Sequence, residues 1–164
     1  MEIRRFQAQD LAQMLEIWNA VVEEGEAFPQ IQPLDALSGQ DFFSSQDFTG
    51  VACEGETVVG LYILHPNHAG RCGHQCNASY AVRADWRGKG AGRALVCHCM
   101  ETAAQLGYRL LIFNAVVEQN TRAIALYESL GFVRIGRMPG GFHAKDGTYR
   151  DTFLYYHTLP SLES

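Results

Sequence analysis

"RADWRGKGAGRAL", residues 83–95, places glycines at 88, 90 and 92 between an alternating apolar pattern and the start of an amphipathic one. Glycine lets a backbone turn sharply and approach a ligand closely, and the unpaired amides at a helix N-terminus favour an anion. A strand, a glycine loop and a helix in that order predict an α/β fold with a phosphate-bearing ligand at the helix start. Arg83, Arg87, Lys89 and Arg93 gather positive charge there, in a chain whose formal net charge is −5. A Walker loop needs Ser or Thr after its Lys, whereas Gly90 follows Lys89. The dinucleotide fingerprint needs a third glycine at another spacing, and residue 93 is Arg. The plain alternative is a glycine-rich turn that holds nothing.

Working outward, the strand before the loop spans Cys76 to Val82 and the helix after it Ala91 to Leu106, closed by Gly107. Upstream, Glu2 to Phe6 reads as a strand. Asp10 then opens a helix with Leu11, Met14, Leu15, Trp18, Val21 and Val22 on one stripe, which Gly25 ends. A proline-bearing loop leads to a short helix around Leu34 to Ser44. Phe48 to Cys53 and Thr57 to Leu64 form a hairpin about Glu54, Gly55 and Glu56. Downstream come a strand at Arg109 to Val116, a helix from Thr121 to Leu130 and a strand from Phe132 to Arg137. The "PGGFHAKDGTY" loop follows, and then a last strand from Thr152 to Thr158. This order predicts one domain over residues 1–164: a mixed, mostly antiparallel sheet of six to seven strands with helices on both faces.

The loop and the segment after it resemble the GCN5-related N-acetyltransferase (GNAT) superfamily. Arg87, Gly90 and Gly92 match its acetyl-CoA loop. "NTRAIALYESLGFVRIG" is similar to its later motif: Asn120 opens a helix, Tyr127 follows seven residues on, and Leu130-Gly131-Phe132 leads into a strand. The match is specific from about residue 77 to 136; the N-terminal part agrees only in its order of elements. "PNHAGRCGHQCNA" and "FNAVVEQN" further resemble a subgroup typified by a yeast azetidine-2-carboxylate acetyltransferase. The resemblance implies a sheet that splays at the cofactor, with acetyl-CoA held by Val82, Arg87, Gly88, Lys89, Gly90, Ala91, Gly92, Arg93, Asn120 and Tyr127. It also implies a small amino or imino acid as acceptor, and homodimers, which are common among relatives although no interface is legible here.

Acetyl transfer to an amine requires a neutral amine, a donor to the oxyanion that develops, and a proton for the departing thiolate. At the splay the Val82 amide is the implied oxyanion donor. Asn120 and Tyr127 share a helix face about 10 Å apart, and Tyr127 is the general-acid candidate; the alternative is an aromatic that only packs helix onto sheet. Relatives acting on phosphinothricin-like amino acids carry a glutamate where Asn77 stands, and asparagine takes no proton near neutrality. No side-chain base is therefore assigned. Asn77 and Asn114, the latter interrupting the apolar "LLIFNAVV", are candidates to contact the acceptor at the reaction centre or to bridge backbone groups. The implied amino or imino acid carries a carboxylate, for which Asn77, Asn114 and His143 are the candidate donors, while Phe28, Phe142 and Tyr149 lie on expected loops, where they would wall the acceptor pocket or plug the core edge.

His65, His68, Cys72, His74 and Cys76 lack the paired spacing of zinc sites, so no metal is expected. Five cysteines at irregular spacing suit free thiols in a reducing compartment, and Cys97, His98 and Cys99 show no evident partners. The acidic balance disfavours nucleic acid. No apolar run suits a signal peptide or a membrane span, which makes the cytoplasm the expected location. Two other functions fit the same motifs: a protein or peptide acetyltransferase, and a non-catalytic acyl-CoA-binding module.

Overall fold

The computed structural model describes residues 1–162. Seven strands form one mixed sheet: β1 (Glu2–Arg5), β2 (Phe48–Glu54), β3 (Thr57–Pro66), β4 (Gln75–Val82), β5 (Leu110–Val117), β6 (Val133–His143) and β7 (Tyr149–Thr158), in the order β1-β2-β3-β4-β5-β7-β6. Four α-helices cover it: α1 (Leu11–Glu24), α2 (Ala36–Ser44), α3 (Ala91–Gln105) and α4 (Thr121–Ser129).

Period-two alternation sorts the side chains of β3 to two cores. Leu61 and Ile63 join Met14, Trp18 and Val21 of α1 and Phe43 of α2 on one face. Tyr62 and Leu64 join Leu95, Val96 and Cys99 of α3 on the other, which Leu126 and Tyr127 of α4 also cover. Burial on both faces explains why "VVGLYIL" shows no polar alternation. Asp10 starts α1 without capping it. Its carboxylate instead holds Arg4 at 2.7 and 3.0 Å and accepts the Gln7 amide at 2.7 Å, tying β1 to the helix start.

The expected loop from Pro139 to Tyr149 is shorter than composition suggests. β6 continues to His143 and β7 begins at Tyr149. A register shift between Met138 and Phe142 absorbs Pro139, Gly140 and Gly141 as a bulge, and Asp151 Oδ1 accepts the Gly140 amide at 2.8 Å. β6 is an edge strand, where a proline without an N–H interrupts no ladder.

Candidate active site

The sheet comes apart between β4 and β5. Among the described residues these are its only parallel neighbours, and their pairing ends after Gln75–Leu110, Cys76–Leu111 and Asn77–Ile112. At the last pair the Asn77 Nδ2 donates to the Ile112 carbonyl at 2.7 Å, so the side chain straddles the point where the strands part. The β3–β4 ladder is bracketed by Asn67 N to Gln75 O and Arg83 N to Val59 O, each 2.8 Å. Odd-numbered residues of β4 thus bond to β3, and alternation turns the peptide groups of Tyr80 and Val82 toward the gap. On the other side β5 bulges between Phe113 and Val116 against β7.

Asn114 sits in that bulge, exposed rather than buried as its apolar neighbours suggest; its Nδ2 donates to Asn67 Oδ1 at 2.7 Å. The bulge swings the side chain out of the core while Ile112 and Phe113 stay inside.

Below the gap, Gly88 (φ 77°) and Gly90 (φ 87°) adopt the left-handed conformation, and a Cβ at either would meet no atom within 4 Å. Packing does not require these glycines; backbone geometry and open space above them do. Ala94 is the first residue of α3 whose amide finds a backbone acceptor, Gly90 O at 3.1 Å, and no side chain caps the helix. Amides 88 to 93 make no hydrogen bond among the described residues. They form a donor set that fits a diphosphate. The basic patch is partly committed to protein partners: Arg83 to Asp85 at 3.2 Å, Arg87 to Glu24 at 3.1 Å and Arg93 to Ser129 Oγ at 2.8 Å. Lys89 lies 5.1 Å above the Trp86 ring.

Tyr127, on α4, packs its ring 4.4 Å from Phe113 and 6.4 Å from Tyr80. Its hydroxyl has no hydrogen-bond partner among the described residues, and burial pushes the phenol above its ordinary range. Asn120, the N-cap of α4, makes no side-chain cap bond. A cavity of about 630 Å³ runs past Trp86, the glycine loop, Val82 and Asn120. A second of about 200 Å³ lies between β4 and β5, lined by Phe28, Asn77, Ser79, Phe113 and Asn114 among others. Ala27, Tyr80, Asn120 and Tyr127 line both, which makes them the junction.

The comparisons with known proteins meet this geometry. The model of the acetyltransferase (GNAT) family matches residues 11–132. The chain belongs to that family. It is 31% identical over 166 residues to N-acetyltransferase aca1 of Schizosaccharomyces pombe, a match covering 88% of this chain and 78% of that protein. It is 29% identical over 144 residues to the L-amino acid N-acyltransferase MnaT of Escherichia coli, covering 85% and 83%. The GNAT superfamily phosphinothricin acetyltransferase of Sinorhizobium meliloti, solved in complex with acetyl-CoA, superimposes with a TM-score of 0.88 at 25% identity over 96% of this chain and 88% of that one. As a GNAT enzyme the protein is an acetyl-CoA-dependent N-acetyltransferase. The free amides of 88–93, the open side of Gly88 and Gly90 and the 630 Å³ cavity fit that donor.

Most, not all, of the residues named from sequence line the two cavities; Lys89 and Ala91 line neither, although their amides make no hydrogen bond among the described residues. Phe28 lines the small cavity yet is 8% exposed and packed 4.4 Å from Trp18, so it is core and wall at once. Phe142, His143 and Tyr149 line neither cavity, because the hairpin strands carry them away; His143 instead stacks on Tyr149 at 4.3 Å. Among the described residues no three of the histidines, cysteines, aspartates and glutamates gather as metal ligands would. Cys76 is buried and its Sγ donates to the Leu110 carbonyl at 3.3 Å. His98 does have a partner, the Tyr62 hydroxyl at 2.8 Å. Sequence reasoning missed Tyr80, Trp86, Glu24, Ala27, Arg122 and Arg150 of the cavity walls. Tyr80 was within reach: it shares a strand face with Ala78 and Val82. The others needed the tertiary fold.

Proposed function

We propose that the enzyme moves the acetyl group of acetyl-CoA to the amine of a small amino or imino acid, by direct attack with both substrates bound. The observation that carries this reading is the meeting of a long cavity and a small one at Tyr127. The small cavity holds about 200 Å³ and no charged side chain lines it, which suits a compact acceptor better than a peptide. The names of the relatives agree: one is an L-amino acid N-acyltransferase and another a phosphinothricin acetyltransferase.

Bound acetyl-CoA supplies an activated acyl thioester; the chain does the rest. Amides 88 to 93, with Arg87, Lys89 and Arg93, hold the diphosphate. The Val82 amide donates to the carbonyl oxygen as negative charge builds on it, an interaction stronger in the transition state than before it. The Tyr127 hydroxyl, whose pKa desolvation raises, shares its proton with the departing sulfur. The Asn77 Nδ2 is held by Ile112, which leaves its Oδ1 for an N–H of the acceptor; Asn114 and Phe28 complete the wall. No side chain there is suited to remove the ammonium proton, so the acceptor enters as the neutral amine fraction.

A thiol-release assay with acetyl-CoA and a panel of amino acids, proline analogues and methionine sulfoximine tests the reading. Turnover with members of that panel is expected. Tight coenzyme binding without turnover on any small amine would replace the enzyme with an acyl-CoA-binding module. Turnover on basic peptides alone would replace the acceptor class.

A further inference from the structure

We propose that Glu24 is a positioning residue that links the phosphate loop to the wall of the acceptor cavity. The inference rests on the cofactor placement proposed above and concerns a residue that the cofactor reading leaves without a role.

Glu24 is the last residue of α1, and its Oε1 accepts from Arg87 Nη2 at 3.1 Å across 63 residues of chain. Arg87 immediately precedes the loop of free amides. Beyond Glu24 the chain runs as a short strap that serves both cavities: Glu24, Glu26 and Ala27 line the long one, and Ala27, Phe28 and Pro29 the small one. The far end of the strap is fixed by Phe28 against Trp18. The near end is fixed twice. Arg87 holds Glu24, and Lys145, from the β6–β7 hairpin, donates its amide to Gly25 O at 3.2 Å and its Nζ to Glu23 O at 2.8 Å. Gly25 adopts φ 66°, and a Cβ there would lie 2.5 Å from Lys145 Cβ, so only glycine permits this docking.

A guanidinium presents five N–H donors in a rigid fork, and Glu24 takes one of them. The other donors make no hydrogen bond among the described residues, and Arg87 lines the long cavity. An anion gripped by those donors stiffens Arg87, Arg87 stiffens Glu24, and the strap that forms one wall of the acceptor cavity is ordered before the acceptor arrives. Cofactor and acceptor are then coupled, and the coupling acts equally in both directions.

Hydrogen exchange on the full chain, with and without coenzyme A at saturation by calorimetry, tests this. In the parent, coenzyme A should slow the amides of residues 25–28 at least about fivefold. In Glu24→Ala the same amides should slow less than about twofold, while amides 88–93 remain protected as in the parent. The variant should bind coenzyme A no more weakly than the parent, because a negative charge has left an anion site. Its acceptor KM should rise several-fold with kcat held within about twofold, and Glu24→Gln, which keeps an oxygen for Arg87, should recover most of the loss. Lys145→Ala, which frees the strap from the other side, should raise the acceptor KM in the same way. Equal protection of 25–28 in parent and Glu24→Ala, no protection in the parent, or an unchanged acceptor KM would each overturn the proposal. Failure of the parent to bind coenzyme A would overturn the cofactor placement itself and this inference with it.

Discussion

The two flanks of β4 are a controlled comparison within one strand. Toward β3 it pairs along seven residues, Cys76 to Val82; toward β5 it pairs along three and then stops. The first flank spends its peptide groups on the fold, and the second leaves those of Tyr80 and Val82 unspent. The same contrast separates α1, where the preceding Asp10 is tied to Arg4 and Gln7, from α3, whose first amides are bonded to nothing among the described residues. A binding site here is backbone hydrogen-bonding capacity withheld from the fold, and the glycine loop and the gap are two instances of it.

Perturbing each side should separate activity from stability. The largest effect is expected from Tyr127→Phe, which removes a hydroxyl with no protein partner. Turnover should fall roughly a hundred- to a thousandfold, with coenzyme A affinity and melting temperature close to those of the parent. Activity equal to the parent's on a confirmed acceptor would remove the general-acid role.

Asp10→Ala tests the committed side. It leaves the Arg4 guanidinium without its carboxylate and should cost about 2 kcal/mol in urea unfolding, discounted for the partial exposure of Arg4, with no change in coenzyme affinity. The hydrogen bond from Arg4 holds the Asp10 carboxyl below its usual range. Its contribution is therefore full above the unfolded value near 4 and lost as pH falls through the lower folded value, so parent and variant should converge in stability under strong acid.

Gly90→Ala should cost about 1–2 kcal/mol through the left-handed backbone, and its Cβ would point into the space kept for the ligand. Calorimetry should therefore show weakened coenzyme binding beyond what the loss of stability explains. Asn77→Ala, at the boundary, should touch both properties modestly: about 1 kcal/mol of stability from the bond to Ile112, and a raised acceptor KM. The smallest signature is in pH. With no side-chain base, kcat/KM for a free amino- or imino-acid acceptor should rise about tenfold per pH unit until the pH reaches the acceptor's own amine pKa, and level off there.

Residues 83–95 and 120–132 make the fold class and the strand–glycine loop–helix arrangement legible, because such transitions depend on local glycine chemistry and local periodicity. Asn77, Asn114 and Tyr127 were legible as residue types, but their surroundings were not. Asn114 looked buried among Leu110 to Val117 until a bulge, set by pairing with β7, turned it outward. Phe142 reads as a pocket wall and His143 as a partner for the acceptor's carboxylate because Pro139, Gly140 and Gly141 look like a loop, whereas an edge strand tolerates them. Glu24 carried no signal, since its partner lies 63 residues away.

From its sequence alone, then, this chain declares an α/β acetyltransferase fold and the glycine loop proposed to take its cofactor, since hydrophobic period, glycine placement and helix starts act over a few residues. Where the sheet parts, which peptide groups are left facing the gap and which side chains meet at Tyr127 belong to the tertiary structure. Those features arise from strand register and packing between distant segments, and no local stretch of residues encodes them.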